Sequence, residues 1–403
     1  MEYISISGAK EGNLKNISVD LPRNKWIVLT GVSGSGKTTL AMDVLYQECQ
    51  RQYLEAIGYQ GIRKPDIDAI RNVSPAIQIQ QQAYNKNPRS TVGTVTDIYT
   101  DLRMLYEKLS TRDCPACGKE FSSADCREET EKTADDFKVF QYCPHCAQRM
   151  EKLTRTHFSY NTREGACATC QGLGEVMTVA EGRYEGVLPN LWRRMADQKG
   201  ASKLREAYFE SAICPECHGE RLNELSRSVT VKGTRLPELS GSSLTGLVDW
   251  IRELDANLTH SEQLLAGVYV ADLKTKLKRI LKLGMGYLSL DRQTMTLSGW
   301  EAQRLKLAVE LLANRGKKNL YLIDEPTTGL HPLDVEKFLR LLDRMVDSGS
   351  TVIVVEHNQQ IIAAADWIID LGPGGGTAGG KVIAEGTPSD IRKDKNSVTG
   401  KFI

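Results

Sequence analysis

A glycine-rich octapeptide, Gly31-Val32-Ser33-Gly34-Ser35-Gly36-Lys37-Thr38, directly follows the apolar run WIVLT at 26–30. Glycines let the backbone approach a ligand closely and curl into an anion-binding nest, so the pattern G-x-x-x-x-G-K-T cradles phosphates, with Lys37 reaching the β/γ-phosphates. The run after it, TTLAMDVLYQECQRQYLEAI, has helix-like apolar spacing. Strand, loop and helix in that order predict an α/β ATP-binding core, with Gly31, Ser33, Gly34, Ser35, Gly36, Lys37, Thr38 and Thr39 around the nucleotide.

Strand-like apolar runs return near the other end as LYLID, TVIVVE and WIIDL, separated by helical segments such as DVEKFLRLLDRMVDS. Alternation of this kind implies a mostly parallel sheet. Asp324, closing LYLID, is the natural carboxylate for Mg²⁺ beside the Thr38 hydroxyl. Glu325 follows and is placed to polarise an attacking water as general base. Acidic pairs at strand ends are common, and only the combination with the phosphate loop gives this one its roles. His357, after TVIVVE, is a candidate contact to the γ-phosphate. Ser298 and Gly299 open a helix whose N-terminal end can face the γ-phosphate of a nucleotide held by another subunit.

Between these two parts lies a region rich in cysteine. Of 10 cysteines, eight form Cys-x-x-Cys pairs at 114/117, 143/146, 167/170 and 214/217. Two thiolates at that spacing suit structural zinc, and redox-active pairs are the alternative. Cys49 and Cys126 have no paired neighbour and are read as free thiols. The opening segment MEYISISGAKEGN lacks a signal-peptide pattern and no run is long and apolar enough to span a bilayer, so a cytoplasmic protein without membrane association is expected. A balance of 52 basic against 51 acidic residues excludes coating nucleic acid by charge alone; any DNA surface must be local.

Several blocks, in order, resemble the UvrA family of nucleotide-excision-repair ATPases: GVSGSGKTTLAMDVLYQECQRQYLEAI, SPAIQIQQQAYNKNPRSTVGTVTDIY, FSYNTREGACATCQGLGE, CPECHGERLN, LGMGYLSLDRQTMTLSGWEAQRLKLA and DEPTTGLHPLDVEKFLRLLDRMVDSGSTVIVVEHN. The resemblance implies an ABC-type ATPase core interrupted by an α-helical signature domain with zinc-binding modules. It implies that Gln81 contacts metal or attacking water and that Leu297 to Glu301 is the ABC signature. It also groups Cys114, Cys117, Cys143 and Cys146 in one structural Zn²⁺ site and Cys167, Cys170, Cys214 and Cys217 in a second. The expected division is 1–112 for the first part of the core, 113–156 for a zinc module, 157–243 for a zinc-bearing signature region with a short insertion, 244–300 for the helical signature domain and 301–403 for the second part of the core.

Departures from the family shape the functional expectation. UvrA carries two ATPase halves, whereas this sequence has one phosphate loop, one signature and one DEP strand, so a homodimer, or pairing with a separate half-ATPase, is expected. The connection between Cys117 and Cys143 is too short for the UvrB-docking domain, and docking to UvrB is not expected. Trp192, Arg193, Arg194, Lys199, Lys203 and Arg205 are candidates for tracking DNA phosphates, a solvated helix face being the other reading. Trp300 stands where the signature has a second glycine, and its indole is expected to add bulk beside the γ-phosphate and weaken hydrolysis. The leading expectation is an ATPase that binds damaged or drug-modified duplex DNA and couples ATP binding and hydrolysis to dimer opening and closing. Its alternative is an ATP-gated DNA-binding or self-resistance module with little hydrolysis. An ABC unit of a membrane transporter is a third reading, against which the zinc-bearing region speaks.

Overall fold

The computed structural model describes residues 2–79, 87–132, 137–179, 209–313, 318–328 and 332–403. It divides into two compact units, one formed by residues 1–86, 278–286 and 294–403, the other by residues 87–277 and 287–293.

The first unit is built on a six-stranded sheet in the order Lys381–Gly386, Trp367–Gly372, Trp26–Gly31, Thr351–Val355, Leu320–Asp324, Ala76–Ile79. All neighbours run parallel except the outermost pair at the Lys381–Gly386 edge. Every residue of Trp26–Gly31 and of Thr351–Val355 is buried, as continuous apolar runs require in a sheet covered on both faces. The register sets Val28 between Val354 and Ile368. A second, antiparallel sheet, in the order Ile17–Pro22, Tyr3–Ala9, Ala69–Arg71, alternates buried and open residues. Its inward set, including Ile4, Ile6, Val19 and Leu21, joins one core with Leu29, Leu40 and Ile353.

The helix after the phosphate loop winds as a π-helix over Thr39–Tyr46 before continuing as the α-helix Gln47–Ala56. Buried residues at 40, 41, 44 and 45 satisfy either winding, so apolar periodicity does not distinguish them. Parallel pairing carries the C-terminal ends of Trp26–Gly31, Leu320–Asp324 and Thr351–Val355 to one edge of the sheet, the edge where α/β folds hold ligands.

In the second unit the longer helices, Ile98–Leu109, Leu244–Ala256 and most of His260–Lys282, supply the apolar packing. Lys276 lies between Asp101, at 2.7 Å, and Asp97, at 2.9 Å. The cysteine pairs sit on short antiparallel sheets: Thr111–Asp113 with Glu120–Ser122, Phe137–Tyr142 with Arg149–Glu151, and Glu175–Val179 with Phe209–Ile213. Strands of two to six residues with faces as open as Arg127–Lys132 bury too little to hold themselves together.

Candidate nucleotide and metal sites

The phosphate loop leaves the strand Trp26–Gly31 at a position only glycine tolerates. Gly31 has φ +129°, and a Cβ there would sit 1.9 Å from the Leu371 carbonyl oxygen. The Lys37 ammonium donates to the carbonyls of Gly31, at 3.0 Å, and Val32, at 2.9 Å, which closes the loop on itself. Burial lowers the Lys37 pKa, while the charges of Glu325, Asp324 and Asp370 act in the opposite sense. Ser35 is fully buried and its hydroxyl has no protein partner.

Beside the loop, Thr38 hydrogen-bonds the Asp324 carboxylate. Burial and then the charge of Glu325 raise the Asp324 pKa, and that Thr38 bond and Lys37 lower it in part. Its Oδ1 is buried without a partner. A buried carboxylate oxygen left open next to a threonine hydroxyl fits a hard divalent cation such as Mg²⁺.

Glu325 adopts φ +43°, a left-handed conformation rare for a residue with a side chain, and its N–H donates to the Val355 carbonyl at 2.9 Å. That conformation points its half-exposed carboxylate at the similarly exposed His357, with Oε1 3.6 Å from Nε2. Glu356, between two strand ends, is buried and holds the turns around this pair. It accepts from the Thr327 N–H and hydroxyl on one side and from the His357 and Asn358 N–H groups on the other.

Ser298 caps the helix Gly299–Ala313, with its hydroxyl accepting from the Glu301 N–H and the Glu301 carboxylate accepting from the Ser298 N–H at 2.8 Å. On this helix Gln303 donates to the Asp324 carbonyl at 2.8 Å, tying the helix to the strand that carries the acidic pair. The Trp300 ring lies against the Arg304 guanidinium, along the helix. A cation four residues on lies one turn away on the same face, and the ring stacks upon it.

Two groups of four cysteines have all Sγ atoms within 4.8 Å of one another, Cys114, Cys117, Cys143 and Cys146 in one and Cys167, Cys170, Cys214 and Cys217 in the other. Both can hold zinc, and the set of four sulfurs is that of a closed structural site. N–H groups of Cys117 and Ala116 bring the Cys114 thiol down to about 6 despite opposing burial. Burial raises Cys214, yet N–H groups of Cys217 and Glu216 outweigh it and leave this thiol at about 7. Cys117 and Cys146 are exposed, whereas all four cysteines of the second group are buried. Cys49 and Cys126 are free thiols, and Cys126 packs against the first group.

The ABC transporter family model matches residues 14–163. UvrABC system protein A of Thermus thermophilus is 29% identical and that of Bacillus subtilis 28%, each over 100% of this chain and over 63% and 62% of the relative. The crystal structure of UvrA2 from Deinococcus radiodurans superimposes with a TM-score of 0.77 at 30% identity, over 99% of this chain and 58% of that one. The chain is similar to UvrA along its whole length and has the ABC ATPase fold.

This UvrA-like chain spans less than two thirds of the length of the relatives it matches. Among its described residues no helix is long and apolar enough to cross a membrane. Gln81 lies outside the described residues, as do Trp192, Arg193, Arg194, Lys199, Lys203 and Arg205. The remaining residues singled out from the sequence fall at the strand ends of the first unit, at the start of the helix Gly299–Ala313, or in the two cysteine groups. Glu356 and Gln303 were not anticipated. Glu356, an acidic residue closing an all-apolar strand, carried a signal; Gln303, one polar residue within a helix, carried none.

Proposed function

We propose that this UvrA-like chain binds ATP with Mg²⁺ in the first unit and couples binding and hydrolysis to the opening and closing of a twofold dimer on duplex DNA that is damaged or drug-modified. The unpartnered Asp324 Oδ1 beside the Thr38 hydroxyl carries the reading, because a buried carboxylate with an open oxygen calls for a cation. The phosphate-loop amides and Lys37 bind the triphosphate, and Thr38 with Asp324 holds the metal. When bound, Mg²⁺ supplies neutralisation of charge on the β/γ-phosphates. Glu325 holds and orients the attacking water, and His357 at its side contacts the γ-phosphate. Ser298 and Gly299 of the second copy complete the site, and Gln81 contacts metal or water. Two Cys₄ zinc sites staple the second unit.

Phosphate release with and without duplex DNA, compared with a Glu325→Gln variant, tests this. Turnover lost in the variant with ATP binding retained supports it. DNA shifted in a gel with no turnover above the variant would leave an ATP-gated binder. Failure to shift any duplex in the presence of ATP would overturn the DNA assignment.

A further inference from the structure

A phosphate-binding loop must turn its N–H groups toward the ligand, so its carbonyls face the other way and need partners of their own. In this chain those partners come from a second glycine-rich segment, residues 372–380, just after the strand Trp367–Gly372. The Gly376 N–H donates to the Gly34 carbonyl at 3.0 Å and the Gly380 N–H to the Ser35 carbonyl at 2.9 Å. The Asn13 side-chain amide donates to the Gly34 carbonyl at 2.8 Å and the Gly376 carbonyl at 3.3 Å, so one side chain fastens both loops.

The two glycine loops also touch where no side chain fits. A Cβ on Gly375 would lie 2.5 Å from the Ser33 carbonyl oxygen, and one on Gly379 would lie 3.0 Å from the Ser35 Cα. Neither glycine is needed for its own backbone: Gly375 has φ −101° and Gly379 φ −92°, conformations open to any residue. The requirement at Gly375 comes from the phosphate loop it presses against; at Gly379 it comes from the Gly374 carbonyl oxygen, 2.6 Å from the Cβ position, together with that loop. Across a trans peptide the C=O of one residue and the N–H of the next point in opposite directions. Holding the Gly34 and Ser35 carbonyls on the outer side therefore fixes the two peptide planes and aims the Gly36 N–H away from the second loop.

We infer that Gly375, Gly379 and Asn13 are positioning residues for ATP, acting through the phosphate loop without touching nucleotide. The inference rests on the proposed ATP site and adds residues that the phosphate-loop motif does not contain. It is tested with a fluorescent ATP analogue and Mg²⁺, titrated into the full chain and into Gly375→Ala and Asn13→Asp variants, with nucleotide-free melting recorded for each.

Misaimed N–H groups weaken charge-assisted hydrogen bonds, so the Gly375→Ala Kd is expected to rise about tenfold or more. The displaced backbone also lowers its nucleotide-free melting temperature, and a cooperative melt shows that the variant is folded. Asn13→Asp, which puts an acceptor against two carbonyls without a steric clash, should raise Kd in the same direction and decides the matter if Gly375→Ala does not fold. Wild-type affinity in a folded Gly375→Ala, or in Asn13→Asp where the first variant is unfolded, overturns the inference. An equal fall in nucleotide-free stability with no change in Kd does the same. Failure of the ATP reading is distinct, because then the unaltered chain itself does not bind the analogue.

Discussion

The Arg304 guanidinium carbon lies 3.2 Å from the centroid of the Trp300 ring, and the same guanidinium donates to the Leu283 carbonyl at 2.7 Å. The indole is thus engaged along its own helix, with a cation that is almost fully buried. Removing it should affect the helix more than the chemistry. Trp300→Gly loses the cation–π contact and adds a helical glycine, a combined cost of about 2 kcal/mol. Denaturant melts should register that loss while steady-state phosphate release changes little. A rise of about tenfold in turnover, equivalent to roughly 1.4 kcal/mol of barrier, would mean that the ring obstructs the site after all.

Asp324 offers a test in pH. Its folded pKa is raised, by burial first and by Glu325 second, so ionising it costs stability. That cost is absent below the unfolded carboxylate pKa and sets in as pH rises through the folded one. Without nucleotide, Asp324→Asn should therefore melt above the wild type at about pH 7, and the gap should close toward about pH 4. Added ATP and Mg²⁺ should reverse the order, since only the wild type keeps the metal-binding carboxylate. A variant that melts lower at neutral pH without nucleotide would contradict this account.

The two cysteine groups differ in access. Exposed Cys117 and Cys146 open one of them to solvent, and burial closes the other. A colorimetric chelator should remove zinc in two phases. Cys117→Ser should eliminate the fast phase and leave the slow one. Loss of the slow phase in that variant would reverse the assignment.

Lys276 neutralises two carboxylates, and the Asp101 side chain is 8% exposed. Lys276→Met leaves that acid buried without its partner and should destabilise the protein by about 3 kcal/mol. Adding Asp101→Asn should recover part of the loss, because the uncompensated charge is then gone. Urea unfolding of the single and double variants reads this, and strictly additive losses would refute the coupling.

What could be read from the sequence was local. WIVLT, LYLID and TVIVVE are mainly apolar, and a strand buried on both faces needs no more; Asp324 and Glu325 are recognised because one closes such a run and the other follows it. The cysteine pairs announce their chemistry through spacing, although their grouping came through resemblance. Contacts between distant segments were illegible. Nothing near Asn13 says that it meets Gly34 and Gly376, and nothing in the run GPGGGTAGG says which segment it lies against. The stacking of Trp300 on Arg304 is of another kind, since a cation four residues on lies one helical turn away on the same face.

The sheet order has a consequence for how the chain is made. Trp26–Gly31 is interior to its sheet, yet both neighbours, Thr351–Val355 and Trp367–Gly372, come from the opposite end of the sequence. On the ribosome this wholly buried strand emerges long before anything exists to pair with it, while most of the second unit follows. Synthesis thus delivers the thiol clusters early and the nucleotide pocket last, with two open strand edges in the interval. Until the closing strands arrive, the two open edges of Trp26–Gly31 are the part of the chain most exposed to wrong pairing.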